Sequence, residues 1–181
     1  LSTYMISAHL SVRNLKRVTI VGRNTDKVAS LIAQMQKRHT DVEFVACEQS
    51  NVEKAIKQAD IVSCATGSAT PLFKGEWLKA GAHVDLIGNH NSDRRECDTQ
   101  ALLNSSVYVD SRTNVLNEAG ELLIPISEGV FSENDVKAEL AQLCSADVPG
   151  RKSKNEITLF KSVGTALSDL VGAHLVYQNH K

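Results

Sequence analysis

The hydrophobic positions of this chain switch between two spacings, one typical of helices and one typical of strands. Residues 25–38 (TDKVASLIAQMQKR) place Val28, Leu31 and Met35 on one helical face. Residues 60–66 (DIVSCAT) instead form a short apolar run between polar breaks, as a buried strand does. Extended along the chain, the pattern predicts helices at 2–14, 25–38, 50–58, 98–104, 133–143 and 165–177, and strands at 18–21, 42–46, 60–66, 82–88, 107–110 and 157–160. Such alternation predicts a parallel sheet covered by helices on both faces.

The first two elements resemble the second half of a βαβ unit. A helix at Ser2–Asn14 leads into the strand Val18–Val21, and no strand with a glycine turn precedes them. We therefore expect a Rossmann-type, doubly wound parallel sheet whose first strand and glycine turn are absent from this chain. Residues 1–156 are predicted to form this incomplete dinucleotide-binding domain. Residues 157–181 are predicted to form a C-terminal segment whose apolar helix carries the chain toward another domain.

Composition narrows the class of protein. The 181 residues are 42% hydrophobic and 23% charged, enough for one well-packed core. A formal net charge of −1, with both signs scattered, argues against a nucleic-acid or anionic-membrane partner. No apolar run is long enough to cross a bilayer, so the cytoplasm is the default expectation. The four cysteines show no CxxC pair, which argues against a zinc site or a disulfide framework and predicts buried or incidental thiols.

The tip of the second predicted strand carries a candidate cofactor site. Gly22, Arg23, Asn24 and Thr25 lie where a dinucleotide fold meets the adenosine ribose. An acidic residue there would bind the 2′-hydroxyl, whereas an arginine beside polar donors suits a 2′-phosphate. This favours NADP(H), with NAD(H) as the alternative. The other interpretation is a solvated Arg23 and a Thr25 that only caps the next helix.

Two more candidates follow predicted strands. The loop that begins at Thr66 (TGSATP) is rich in small residues that let a backbone approach a ligand, or it is simply a turn. The loop after the strand at 82–88 carries His90, which could exchange a proton beside a nicotinamide, and Arg94, which could reach a phosphate. Alternatively, His90 is solvated and Arg94 belongs to a surface ion-pair group of little energetic weight.

The start of the last predicted helix is the fourth candidate. Backbone N–H groups there suit an anionic or carboxamide group, and Ser162 adds a hydroxyl. A purely structural helix start, capped by Ser162 or Thr165, is the alternative.

Several of these segments together resemble one family. The matching motifs are VTIVGRN, ADIVSCATGSATPLFKGEWLKAGAHVDLIG, RREC, VYVDS, EAGEL and EITLFKSVGTALSDLVGAHLVY. In this order, over essentially the whole chain, they are similar to the ornithine cyclodeaminase and mu-crystallin family. The resemblance implies a homodimer with a Rossmann-type domain, an N-terminal substrate and dimer domain, and a last helix that returns to that domain. It also implies that the residues gripping the substrate lie outside this sequence.

The resemblance also assigns roles to individual residues. It implies Arg23, Asn24 and Thr25 at the adenosine ribose, and Thr66, Asp85, Leu86, Ile87 and Arg94 at the cofactor. It implies Ser162 on the nicotinamide side, Val163 beside the substrate, and His90 at the catalytic position. Cyclodeaminases of this family carry an aspartate where His90 aligns, and the proline usual in the next turn is replaced by Ser92. The change at His90 argues against ornithine deamination.

The expected function is reduction of cyclic imino acids such as pyrroline-2-carboxylate or its six-membered homologue. NADPH would deliver hydride to the C=N carbon, and His90 or a residue outside this sequence would supply the proton. No metal is expected, since hydride transfer needs none and no ligand cluster is visible. The alternatives are an NAD-dependent ornithine cyclodeaminase, a non-catalytic protein that binds NADPH and a small ligand, and an inactive fragment.

Overall fold

A computed structural model describes residues 1–180, which divide into two compact units, Leu1–Ala59 and the part from Asp60 onward. The first unit pairs two parallel strands, β1 with β2, in register from Arg17 opposite Glu43. Its elements are α1 (Ser2–Val12), β1 (Arg17–Val21), α2 (Thr25–Arg38), β2 (Glu43–Cys47), a one-turn 3-10 helix (Gln49–Asn51) and α3 (Val52–Gln58). Met35, Val42 and Phe44 form its buried core.

The second unit is built on five parallel strands in the order β3-β4-β7-β5-β6. Its elements are β3 (Ile61–Cys64), a 3-10 turn (Gly75–Trp77), β4 (His83–Leu86), α4 (Thr99–Leu103), β5 (Ser105–Val109), α5 (Arg112–Glu118), α6 (Gly120–Ser127), a 3-10 turn (Glu133–Asp135), β6 (Val136–Glu139), α7 (Leu140–Cys144), β7 (Ile157–Lys161) and α8 (Ala166–Asn179). Val84, Leu86, Val107, Val109 and Leu159 are fully buried on the central strands. Strands buried on both faces read as continuous apolar runs, which is why these segments were recognisable in the sequence.

This five-stranded parallel sheet with its helices confirms the α/β prediction. The helix predicted at 133–143 is wrong. That segment folds as a 3-10 turn, the edge strand β6 and the short helix α7. Val136 and Ala138 are buried with exposed Lys137 between them, a period of two that pairs with β5 and overrides the helical spacing.

The predicted boundary between residues 156 and 157 stays a prediction. The strand just after it, β7, lies between β4 and β5 in the sheet. Helix α8 has no buried residue, and Leu167, Leu170 and Val176 are all exposed. Within residues 1–180, no helix is long and apolar enough to cross a membrane.

Candidate functional site

The carboxyl ends of β3, β4, β7 and β5 lie along one edge of the second unit's sheet, because all four strands are parallel. In open parallel sheets, this edge is where ligands bind. The loops that leave it begin at Thr66, Gly88, Ser162 and Asp110. Most of the site residues predicted in this unit therefore stand at or beside one edge.

Buried Glu96 joins the ends of β3 and β4. Its Oε1 accepts hydrogen bonds from the backbone N–H of Thr66 at 2.6 Å and from the Thr66 hydroxyl at 2.7 Å. Its Oε2 accepts from the Gly88 N–H at 3.0 Å. The Thr66 hydroxyl gives its proton to Glu96, so toward any other group it can act only as an acceptor. The predicted contact of Thr66 with a cofactor stays a prediction with that restriction.

Gly88 brings the same two strand ends into close contact. A β-carbon at Gly88 would lie 1.9 Å from the backbone nitrogen and 2.3 Å from the carbonyl oxygen of Thr66. Real β-carbons do not approach backbone atoms this closely, so only glycine fits here. A β-carbon added at Gly67, one residue beyond Thr66, would meet no atom within 4 Å.

A buried ion pair lies at this edge. Lys161, the last residue of β7, and Glu121, on α6, have fully buried side chains whose Nζ and Oε2 atoms are 3.0 Å apart. Among the described residues, Glu121 Oε2 accepts no hydrogen bond of regular geometry, so we take the short ion contact as its compensation. Glu121 Oε1 accepts from the Glu96 N–H at 3.0 Å, and Lys161 Nζ donates to the Asn89 carbonyl at 2.5 Å.

His90 is exposed in the loop after β4. The asparagines on either side of it are fixed by hydrogen bonds. The buried Asn89 side chain donates to the Ser68 carbonyl at 2.9 Å and accepts from the Asn91 N–H at 3.3 Å. The Asn91 carbonyl accepts from the N–H groups of Arg94 and Gly120, each at 3.2 Å. The imidazole is thus presented to solvent on a fixed backbone.

Arg94 remains exposed on the same loop. Its Nε lies 4.0 Å from a carboxylate oxygen of Asp93, whose side chain is 83% exposed. A pair this long and this solvated contributes little to stability. The Arg94 guanidinium therefore remains available to a phosphate, and its predicted cofactor contact stays a prediction.

The turn between β7 and α8 is organised by Asp110. One carboxylate oxygen, Oδ2, accepts from the Ser162 hydroxyl at 2.7 Å, the Val163 N–H at 3.0 Å and the Gly164 N–H at 2.7 Å. The N–H groups of Val163 and Gly164 are therefore satisfied within the protein, and the predicted site at the helix start stays a prediction. Ser162 donates to Asp110 and keeps acceptor capacity for another group. Thr165 caps α8, accepting from the Ser168 N–H at 3.2 Å.

The three predicted residues at the end of β4 differ in access. Asp85 is buried and accepts from the Ser63 hydroxyl at 3.1 Å, and Leu86 is fully buried. The Leu86 carbonyl accepts from the Ser162 N–H at 3.1 Å. Ile87 is half-buried and is the member of the three that reaches the surface. Asp85 and Leu86 therefore support the edge from within the sheet.

The candidate ribose site lies in the first unit, between β1 and α2. Arg23 is exposed in this short connection. Asn24 is the helix cap, since its side-chain oxygen accepts from the Lys27 N–H at 2.9 Å, and Thr25 is the first helical residue. The cap function considered for Thr25 thus belongs to Asn24. The Asn24 amide group keeps its N–H donors, and Arg23 directly precedes this cap residue in the chain.

The cysteines are free thiols. Burial raises the pKa of the Cys64 thiol well above its ordinary value, and the carboxylates of Glu96 and Asp85 raise it further. Burial raises the pKa of the Cys97 thiol in the same way, with Glu121 as the next cause. Both thiols are buried, as predicted for at least part of the cysteines, and the raised pKa keeps them neutral at physiological pH. Within residues 1–180, no three His, Cys, Asp or Glu side chains are grouped to hold a metal ion.

Several residues that build this edge were missed in the sequence: Asn89, Glu96, Asp110, Glu121 and Lys161. Two signals were available. Lys161 ends an apolar strand, and Glu121 lies between glycine and leucines (AGELL), so each interrupts a segment that is otherwise buried. A charged residue in such a segment indicates a buried partner.

The family comparison covers nearly the whole chain. The model of the ornithine cyclodeaminase/mu-crystallin family matches residues 2–181. A Delta(1)-pyrroline-2-carboxylate reductase of Colwellia psychrerythraea is 51% identical over 178 residues, which are 98% of this chain and 56% of that protein. The chain thus spans about half the length of this relative.

Two solved structures share the fold. One is Delta(1)-pyrroline-2-carboxylate reductase of Thermococcus litoralis in complex with NADH and L-proline, with a TM-score of 0.93 and 34% identity. The match covers 98% of this chain and 54% of the length of that protein. The other is an archaeal alanine dehydrogenase dimer with bound NAD, with a TM-score of 0.89 and 25% identity. It is covered over 53% of its length by 98% of this chain.

Proposed function

The chain belongs to the ornithine cyclodeaminase/mu-crystallin family, and we propose that the full-length protein is an NADPH-preferring reductase of cyclic imino acids. It would convert pyrroline-2-carboxylate or piperideine-2-carboxylate to proline or pipecolate. The proposed substrate class rests on the relative that is 51% identical to this chain and is named a pyrroline-2-carboxylate reductase. The exposed His90, where a cyclodeaminase would carry an aspartate, favours reduction over ornithine deamination.

Both units carry residues that suit groups of a nicotinamide dinucleotide. In the first unit, the exposed Arg23 guanidinium and the free Asn24 amide donors suit the phosphate of NADPH. In the second unit, the accessible groups at the sheet edge are Thr66, Ile87, Arg94 and Ser162. The acceptor capacity left on the Thr66 and Ser162 hydroxyls suits a group that donates, such as a carboxamide NH₂.

In the proposed reaction, the bound nicotinamide supplies a hydride to the C=N carbon. His90 would give a proton from its imidazole ring to the imine nitrogen, and would regain one from solvent through its exposed position. Asn89 and Asn91 hold the backbone on either side of it. Val163 would border the substrate. The same proposal includes a homodimer, which the dimeric alanine dehydrogenase neighbour supports, and a cytoplasmic location.

A His90→Ala variant tests the proton step. We expect kcat for imine reduction to fall about 100-fold, the lower end of the contribution of a positioned general acid. The KM for NADPH should change little, because His90 is not assigned to the cofactor. Ser92→Ala, in the same exposed loop, is the matched control and should leave kcat unchanged. A wild-type kcat in His90→Ala would contradict the assignment of the proton donor to His90.

An Arg23→Ala variant tests the cofactor preference. Loss of a charge-assisted contact to the 2′-phosphate should lower kcat/KM for NADPH about 10- to 100-fold. Because NADH lacks that phosphate, its kcat/KM should stay within about threefold of wild type. Arg38→Ala, an exposed arginine in the last turn of α2, is the control for general loss of positive charge. Equal losses with both cofactors would contradict a phosphate contact at Arg23.

The test of the activity itself compares two reactions of the full-length protein. NADPH oxidation that depends on a cyclic imine supports the reductase. Ammonia release from L-ornithine would identify a cyclodeaminase instead. Cofactor binding without turnover of either substrate would favour the non-catalytic binding protein.

A further inference from the structure

The Lys161–Glu121 ion pair has no role in the proposed chemistry, although both side chains are completely buried. Removing two charges from water is costly, and an apolar pair of similar volume often gives an equally stable core. A buried ion pair is therefore weak evidence of stabilisation, so we ask which geometry this pair imposes.

The second contact of Lys161 indicates what that geometry is. Its Nζ donates to the Asn89 carbonyl at 2.5 Å, on the peptide unit that joins Asn89 to His90. Glu121 fixes the position of the ammonium at 3.0 Å. Gly120, the neighbour of Glu121 on α6, donates its N–H to the Asn91 carbonyl at 3.2 Å, on the other side of His90. Strand β7 and helix α6 thus hold the loop on both sides of the histidine.

The two residues that form the ion pair also attach the loop that carries His90. Glu121 Oε1 also accepts from the Glu96 N–H, which is on the returning part of the same loop. A methionine or leucine could fill the volume of Lys161 or Glu121, but neither could donate to the Asn89 carbonyl or accept from the Glu96 N–H. An apolar replacement would therefore keep the core and remove two attachments of the loop, while the contacts of Asn89 with Ser68 and of Asn91 with Gly120 remain.

We infer that the Lys161–Glu121 ion pair is a positioning device that fixes the backbone of residues 89–91 and thereby sets the place of His90 at the sheet edge. This inference rests on the proposed function, because it gives His90 its role in proton transfer. Lys161 and Glu121 are positioning residues, since their buried side chains act through the loop. The device predicts that stability and turnover respond differently to replacement of the pair.

The experiment compares Lys161→Met, Glu121→Leu and the double variant of the full-length protein. Each single change leaves one buried charge unpaired and should lower Tm by about 6 to 20 °C. The double variant removes both charges and should recover most of that loss in Tm. Its kcat for imine reduction should nevertheless stay about 10- to 100-fold below wild type, with the KM for NADPH within about threefold, because the loop has lost its attachments at the Asn89 carbonyl and the Glu96 N–H. A double variant that recovers both Tm and kcat would overturn the inference.

A double-mutant cycle with His90→Ala shows whether the effect passes through His90. In the wild-type background, loss of the imidazole should cost about 100-fold in kcat. In the Lys161→Met/Glu121→Leu background it should cost about threefold or less, since a misplaced histidine contributes little. Equal costs in both backgrounds would overturn the positioning role.

Amide hydrogen exchange separates this inference from the proposed function. In the double variant, exchange at the Gly120 N–H, which donates to the Asn91 carbonyl, should be at least about tenfold faster than in wild type, while residues 105–109 of β5 remain protected. Unchanged exchange at the Gly120 N–H would refute the positioning device even if the protein reduces imines. A wild-type protein without imine reduction would refute the proposed function and, with it, the assigned purpose of the device.

Discussion

Replacing Gly88 with alanine should destabilise the protein by about 4 kcal/mol or more, because the added methyl group meets backbone on the neighbouring strand end. The new β-carbon would lie 1.9 Å from the Thr66 nitrogen and 2.5 Å from the Ala65 carbonyl carbon. Neither atom belongs to a flexible side chain, so β3 and β4 would have to separate. That separation would also pull Gly88 away from the Glu96 carboxylate that joins the two strand ends. Chemical denaturation of the full-length protein measures the loss.

Gly67→Ala is the matched control for this prediction. Gly67 lies on the same edge, and a β-carbon there meets nothing within 4 Å. The change should leave the free energy of unfolding within about 1 kcal/mol of wild type, with a tendency to higher stability from a less flexible unfolded chain. A Gly88→Ala protein as stable as Gly67→Ala would contradict the close approach of the β3 and β4 ends.

Loss of the Glu96 side chain should have the second large effect. Glu96→Ala removes three hydrogen bonds to a buried carboxylate, from the Thr66 N–H, the Thr66 hydroxyl and the Gly88 N–H. It also leaves a cavity in a fully buried position. Unpaired donors and the cavity together should cost about 3 to 5 kcal/mol in the free energy of unfolding. Glu96→Gln keeps the volume and one acceptor oxygen, and should lose less.

The control for Glu96 is a glutamate whose ion pair is solvated. Glu76 lies 3.5 Å from the Lys74 ammonium with its side chain 65% exposed. Because exposed ion pairs contribute little, Glu76→Ala should change the free energy of unfolding by about 0.5 kcal/mol or less. A cost below about 1 kcal/mol for Glu96→Ala would mean that the strand ends are held without its carboxylate.

The fold could be predicted from the sequence where local pattern and packing agree. The helix predicted at 25–38 has the observed bounds Thr25–Arg38, since an asparagine cap and one apolar face mark it. Segment 112–127 was missed because Gly120 and Pro125 are poor helix formers, yet α6 contains both. The edge strand β6 was also missed. Buried and exposed residues alternate along it, but this period of two can be recognised only once the strand is seen to pair with β5.

The site was predictable only at residues that end strands. His90, Thr66 and Ser162 follow apolar runs, so their place at the sheet edge could be expected from the sequence. The groups that hold this edge could not, because their partners are distant in the chain. Glu96 contacts Thr66 30 positions away, and Asp110 contacts Gly164 54 positions away. One sequence without tertiary contacts gives no means of pairing such residues.

The most direct test of the proposed reductase is the rate of NADPH and NADH oxidation by the full-length protein with pyrroline-2-carboxylate, with proline measured as product. We expect imine-dependent oxidation, formation of proline, and a kcat/KM at least about tenfold higher with NADPH than with NADH. Cofactor binding with no oxidation on addition of the imine would contradict the reductase. Ammonia release from L-ornithine in its place would show that His90 does not exclude deamination.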